Sequence, residues 1–221
     1  MSEIYNWKKS LLIYLDIRVI RLLVLGFSSG LPILLIFSTL SLWLKSAGID
    51  RSTITLFSWA GLAYSFKFLW APVIDKLPII ILSNKFGHRK SWLIFSQLML
   101  MTLFMGLGFV DPKHNLLLMA VIIVCVGFCS ATQDAMVDTY RIESAPPELQ
   151  SAMSGIYIVG YRLGMIVAGA GSLFLASFFE NKVTLSKLEK TFFSVFVIKI
   201  LSSRYIYFKG LKIFKLLNVC K

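Results

Sequence analysis

Long uncharged runs, rather than a two-residue alternation, organise this chain. Between Arg21 and Lys45 lie 23 uncharged residues, between Lys90 and Asp111 lie 20, and between His114 and Asp134 lie 19. A helix rises ~1.5 Å per residue and a bilayer's hydrocarbon core is ~30 Å thick, so about 20 apolar residues cross it. Two further runs are each interrupted by one basic residue. Residues 53–74, "TITLFSWAGLAYSFKFLWAPVI", contain Lys67, and residues 151–179, "SAMSGIYIVGYRLGMIVAGAGSLFLASFF", contain Arg162. The pattern predicts five spanning helices, at 22–44, 53–74, 91–110, 115–138 and 151–179. Nothing alternates with period two over ten-residue segments, as the strands of a membrane barrel would. The expected fold class is an all-α membrane protein, an up-and-down transmembrane helix bundle.

The intervening loops are short, at 45–52, 75–90, 111–114 and 139–150, and leave no room for a soluble domain between spans. Three parts follow. Residues 1–21 mix Lys and Arg with Trp, Tyr, Ile and Leu and read as an interfacial segment, residues 22–179 as the five-helix bundle, and residues 180–221 as a basic tail. The best apolar stretch of that tail, "TFFSVFVIKILSSRYIYF" at 191–208, is broken by Lys199 and Arg204 and makes a poor sixth span. Gly30-Leu31-Pro32 is expected to interrupt the first helix, and Pro72 sits near the end of the second. The fifth helix carries Gly155, Gly160, Gly164, Gly169 and Gly171, with Ala168 and Ala170 among them. Small residues at spacing four let helix backbones approach closely, which matters where lipid offers no hydrophobic drive for association.

Composition agrees, with 57% hydrophobic and 15% charged residues, against roughly a quarter charged in soluble domains. The net charge of +12 would suit nucleic acid, but its distribution follows the positive-inside rule instead. With the N-terminus in the cytoplasm, the inner flanks up to the fifth helix hold nine basic residues: Lys8, Lys9, Arg18, Arg21, Lys76, Lys85, Arg89, Lys90 and Arg141. The outer loops hold three, Lys45, Arg51 and Lys113. The chain is therefore read as multi-pass with its N-terminus inside, and its partner as the lipid bilayer, not nucleic acid. The first apolar run is longer than the core of a signal peptide and lacks a small-residue cleavage site, so it is read as a retained helix. The three cysteines show neither a disulfide framework nor zinc spacing.

Charges within the runs carry the candidate chemistry. An ionisable side chain at the centre of a span costs about 2.5–3.5 kcal/mol on insertion scales, so something must offset it. Lys67 lies eight residues before Asp75, roughly 12 Å inside the boundary, and Arg162 lies eleven past Ser151, roughly 16 Å in. Asp134, Asp138 and Arg141 fall at i, i+4 and i+7, one stripe of one helix that should face the bundle interior. Two buried cations and one or two acids fit either a structural ion pair stitching helices together or a polar pathway. In the pathway, carboxylates exchange protons while Lys67 and Arg162 hold an anionic solute. Asp134 is the first candidate partner for Arg162. An enzyme is not expected: the Asp134–Asp138 pair lacks an opposed partner, no serine nucleophile with a base is evident, and His88 and His114 sit in loops. No metal site, cofactor site or catalytic residue is expected. In the 75–90 loop, Asp75 closes one helix and Gly87-His88-Arg89-Lys90 precedes the next.

Five blocks in matching order now resemble a known family. "LGFSSGLP" (25–32), "FKFLWAPVID" (66–75), "GHRKSW" (87–92), "FCSATQDAMVDTYR" (128–141) and "GYRLGM" (160–165) are similar to the AmpG-type muropeptide permeases of the major facilitator superfamily. The resemblance implies the N-terminal half of a major facilitator fold in the bacterial inner membrane. It implies proton-coupled symport of muropeptides for cell-wall recycling, with a small-molecule muropeptide and protons as partners. It also implies that Lys67, Asp134, Asp138 and Arg162 lie on the substrate or proton pathway, and that Asp75, Arg89 and Arg141 form the cytoplasmic gate loop. "GHRKSW" departs from the more Arg- and Gly-rich loop usual in that family. The tail beyond Phe179 resembles nothing in it, so the sequence reads as the first half of a transporter, cut short. The rival expectation is a membrane-embedded remnant that transports nothing and self-associates through its polar face. Single cysteines at Asn84 and Lys113 should react with an impermeant maleimide from opposite sides of the membrane; labelling from one side would remove a span between them.

Overall fold

The computed structural model describes residues 13–79, 82–84, 87–144, 146–171 and 174. Among them the chain is helical and forms no strand, in agreement with an all-α bundle. Helix α1 (Ile17–Leu34) begins on Asp16, whose carboxylate accepts from the Arg18 N–H at 2.7 Å. This is an N-cap satisfying one of the four free amides of a helix start. The helix starts five residues before the expected boundary at 22, so Ile17–Arg21 is continuous with the first candidate span. The rest of that segment, residues 1–12, and the 191–208 stretch lie outside the described residues.

The expected break at Gly30-Leu31-Pro32 does not occur, and α1 runs through it. Pro32 has no N–H to give the carbonyl of Ser28, and the irregularity surfaces one turn later as a π-type turn over Leu35–Thr39. α2 (Leu40–Ser46) then completes a 30-residue element, Ile17–Ser46. Its end is a Schellman cap: Gly48, at φ 84°, donates to the Lys45 carbonyl at 3.1 Å, and Ile49 donates to Leu44 at 3.0 Å.

The second expected span, 53–74, is assembled from short pieces instead of one rod. These are α3 (Arg51–Phe57), a 3-10 turn (Ser58–Gly61), α4 (Leu62–Ser65) and α5 (Lys67–Lys76). Phe66, at φ −90° and ψ 5°, leaves helical geometry between α4 and α5. Pro72 removes a further backbone donor within α5. α6 (His88–Phe109), α7 (Leu116–Ser144) and α8 (Pro147–Ile166) follow, α8 opening on Pro147 at its first position and ending in a π-type turn, Val167–Gly171. Four helices among the described residues are thus long and apolar enough to cross a membrane: Ile17–Ser46, His88–Phe109, Leu116–Ser144 and Pro147–Gly171.

The tightest packing joins the first and last of these. Gly26 and Gly30 on α1 face the backbone oxygens of Tyr157 and Tyr161 on α8, while Gly160 and Gly164 face those of Leu23 and Phe27. At each of these four positions an added Cβ would fall inside the van der Waals radius of the opposing carbonyl. Two G-x-x-x-G pairs therefore meet backbone to backbone. A second close approach, at Gly127 of α7, brings the Ala60 carbonyl to 2.8 Å from where a Cβ would stand.

Buried residues fall into three layers along the bundle. One apolar cluster contains Val19, Leu22, Leu25, Leu93, Met136 and Met153. The other contains Leu31, Leu35, Leu100, Phe104, Ile123 and Val126. Between them, on three helices, lies a buried polar layer: Ser28 and Ser29 of α1, Ser96 and Gln97 of α6, and Ser130, Thr132, Gln133 and Asp134 of α7. Every one of these positions falls, along its own helix, between residues of the two clusters. Gly160→Ala should destabilise the protein by about 1–3 kcal/mol, the usual cost of overpacking. Gly155→Ala, where nothing stands within 4 Å, should be neutral or stabilising. Unfolding of the two variants in mixed micelles checks the contrast.

Candidate functional site

Three groups of charged and polar side chains descend α7 from its end toward the polar layer. At the end, Arg89 near the start of α6 joins two acids from two other helices. Its Nε and Nη2 both donate to Glu143 Oε1, at 3.1 and 2.9 Å, and its Nη1 pairs with Asp75 at the end of α5. Gly87, at φ 84°, supplies the left-handed turn that sets Arg89 there, a conformation that costs glycine nothing. Trp92 Nε1 donates to the Leu77 carbonyl at 2.8 Å and ties the other side of the loop to α6.

One step deeper, Asp138 lies between two cations. Lys67 Nζ is 3.9 Å from one carboxylate oxygen and Arg141 Nη2 is 3.8 Å from the other. Both Lys67 and Asp138 remain about two-fifths exposed and neither contact to Asp138 is shorter than 3.8 Å, so this is a loose pairing. Arg141 also donates from Nη1 to Ser154 Oγ at 2.8 Å, which fixes α8 against the end of α7.

Deepest is Asp134, 7% exposed. Its carboxylate acts electrostatically on three tyrosines, Tyr64 from α4 and Tyr157 and Tyr161 from α8. Beside it Gln133 Nε2 donates to Ser29 Oγ at 3.1 Å, and Ser29 in turn partners Tyr157. Trp70 Nε1 donates to Thr132 Oγ1 at 3.2 Å while its ring packs on Phe128 at 4.5 Å, holding α5 to α7 at this level. The ladder therefore passes from a charged end, through a part-exposed carboxylate between cations, to a buried carboxylate near tyrosines. A separate apolar groove of about 430 Å³, lined by Leu56, Trp59, Leu117 and Val124 among others, lies at the opposite end and contains no charged group.

Of the residues singled out from sequence, the structure brings Lys67, Asp138 and Arg141 together and joins Asp75 to Arg89. Asp134 is buried one turn deeper than Asp138. Arg162 is not part of the assembly. It is exposed, its guanidinium meets Met165 Sδ at 4.0 Å, and it makes no ion pair with a described residue, so the expected pairing with Asp134 is not formed. The cause is rotational. At about 100° per residue, Arg162 lies roughly half a turn round α8 from Gly160 and Gly164, and those glycines are pinned to α1. Glu143 and the three tyrosines escaped the sequence reading. Glu143 is nine residues past Asp134 and so faces the other way from the acidic stripe; tyrosines give no charge signal at all.

Residues 22–202 match the Major Facilitator Superfamily domain. That match runs past Phe179, which corrects the expectation that family likeness ends with the fifth helix. Curated relatives include the AmpG 4 transporter of Rickettsia felis, 40% identical over 169 residues, covering 76% of this chain and 41% of the relative. The anhydromuropeptide permease of Escherichia coli K12 is 42% identical over 155 residues, covering 70% of this chain and 31% of the relative. The chain thus spans about two fifths or less of the length of these relatives. From the geometry, removing Arg89 should cost about 1 kcal/mol or slightly more, because it serves two half-exposed acids. A double-mutant cycle of Arg89→Ala with Glu143→Gln should give a measurable coupling energy, and additivity would show the bridge to be without effect.

Proposed function

The chain belongs to the major facilitator superfamily, and from that premise we propose that it supplies the proton-carrying half of a muropeptide transporter in a bacterial inner membrane. The likeness to an anhydromuropeptide permease supports the substrate class. The observation that carries proton coupling is the burial of Asp134 in a polar layer between two apolar clusters, one turn below a second acid that is two-fifths exposed. Acids within membrane spans mark proton relays as well as solute paths, and Asp134 is the most deeply buried acid among the described residues. Asp138, flanked by Lys67 and Arg141, is the intermediate station between solution and Asp134. Lys67, half exposed, is the cation available to an anionic solute, and exposed Arg162 is assigned to the face that a solute or a further part of the fold would meet.

In this reading the N-terminus is cytoplasmic, as the basic residues of the inner flanks require. The Asp75–Arg89–Glu143 bridge is then a cytoplasmic latch. It ties the ends of α5, α6 and α7, so any rotation of one helix past the others must first break a charge-assisted contact. Arg141, linked to Asp138 and Ser154, couples that latch to α8.

The test joins residues 1–171 of this chain to the remaining portion of the Escherichia coli permease, in a strain lacking its own. Proton-driven accumulation of a labelled anhydro-muropeptide is expected. Asp134→Asn should reduce it to background while leaving the protein in the membrane. Accumulation that persists with Asp134→Asn would remove Asp134 from the proton path.

A further inference from the structure

The apolar groove at the end of the bundle opposite the charged ladder plays no part in the transport reading. Its origin is the broken second segment. Ala60 and Gly61, in the 3-10 turn, are held from both sides. The Ala60 carbonyl presses on Gly127 of α7, and the Phe37 ring stands 2.9 Å from where a Cβ on Gly61 would be. From that contact toward the end of the bundle, α3 and α7 are parted and the groove lies between them. It runs from Ala60 out to Thr53 on one wall and from Val124 out to Leu116 on the other. Val124 lies eight residues past Leu116, which makes the groove about 12 Å long. That is under half of a hydrocarbon core about 30 Å thick.

The volume, about 430 Å³, is that of a small-molecule pocket, and no charged side chain lines it. Water has no reason to stay there, since an internal water needs about two to four polar partners. Left empty, the walls would forgo dispersion contacts. A spanning helix of another protein needs the full thickness of the membrane, whereas this groove closes at Ala60 and Gly127. A hydrocarbon chain entering from one leaflet fits. The mouth supplies the matching polar end. Arg51 lies two residues before Thr53 and Lys113 three before Leu116, so both stand where the groove meets the headgroup region. Both are exposed, and neither forms an ion pair among the described residues. Lys45 is exposed at the same end. Two acids share this end, Asp50 and Asp111. Asp111 is already engaged, by the Lys113 N–H at 2.9 Å and by His114 Nε2 at 3.9 Å.

We propose that this groove binds one acyl chain of an anionic phospholipid, with the lipid phosphate resting on Arg51 and Lys113. Such a lipid needs only that Leu116–Ser144 cross the bilayer, and its binding does not depend on proton coupling or on a muropeptide substrate. Seated there, the chain props α3 away from α7 and supports the turn that carries Ala60 onto Gly127.

The test is electron paramagnetic resonance of the full chain in phosphatidylcholine nanodiscs. The probe is phosphatidylglycerol carrying a nitroxide near the end of one acyl chain. A motionally restricted signal that saturates at one lipid per chain is expected above the mobile lipid around the bundle. Ala120→Trp fills the middle of the groove and should abolish that signal, while Ile158→Trp on the exposed face of α8 should leave it. Arg51→Gln and Lys113→Gln should each weaken binding about fivefold, the contribution of one basic residue near an anionic lipid surface. Restricted lipid that survives Ala120→Trp, or none in the wild type, would overturn the site. Equal binding of nitroxide-labelled phosphatidylcholine, unmoved by the two Gln variants, would overturn the headgroup contact. Should Ala120→Trp fail to fold, Val124→Trp on an exposed wall decides. In the chimera with the Escherichia coli permease the restricted signal should persist. Its loss there would assign the groove to the rest of the fold and overturn the lipid.

Discussion

Backbone contact between α1 and α8 fixes the rest of the structure. In a bilayer, lipid tails solvate a leucine as well as a neighbouring helix does, so association depends on close van der Waals fit. Gly26, Gly30, Gly160 and Gly164 provide that fit, each meeting a carbonyl of the opposite helix with no side chain between. Contact at two successive turns on both helices defines rotation as well as distance. α8 has no freedom left to turn, and the orientation of its other residues follows. Tyr157 and Tyr161 come round to the buried acid of α7, while Arg162, half a turn away from the glycines, is directed outward.

That rotational constraint explains which parts of the site were legible from sequence. Apolar runs place the spans of α1, α6, α7 and α8 with ends up to six residues from those observed, because a bilayer imposes a length on every crossing helix, and the end expected at 179 lies outside the described residues. The i, i+4, i+7 stripe gave the Asp138–Arg141 proximity, since both sit on one helix whose period is known. Lys67 joined it because a cation that deep has few other places to go. The pairing assumed for Arg162 used depth alone, and depth says nothing about azimuth. The azimuthal signal lies in Gly160-x-x-x-Gly164: a glycine face pinned to another helix turns Arg162 the opposite way.

Irregular backbone was harder to read for a different reason. Proline marks a missing donor, not the place where the helix yields. At Pro32 the bonding lost on one side is absorbed one turn later, in the wider turn at Leu35–Thr39, while Gly30 beside it is committed to α8 and cannot relax. In the second segment Pro72 lies inside a regular piece, and the departure comes at Phe66 and through Ser58–Gly61, where the Ala60 carbonyl presses on Gly127. Those pieces place Tyr64 and Lys67 on either side of the break at Phe66. Tyr64 feels the charge of the buried Asp134, and Lys67 pairs with the part-exposed Asp138.

The acids of α7 show how one helix serves two environments. Glu143 points away from the stripe and is held by Arg89 at the surface, where pairing is weak but hydration is free. Asp138, on the stripe and two-fifths exposed, shares two cations without close contact to either. Asp134, four residues deeper, is 7% exposed and acts on tyrosines of α4 and α8. Hydroxyls stabilise a carboxylate less than a guanidinium would, and they also tolerate its neutral form. With Arg162 directed outward by the glycine seam, the acid at this depth is set apart from Asp138 by its burial and its tyrosine neighbours rather than by the Arg162 guanidinium.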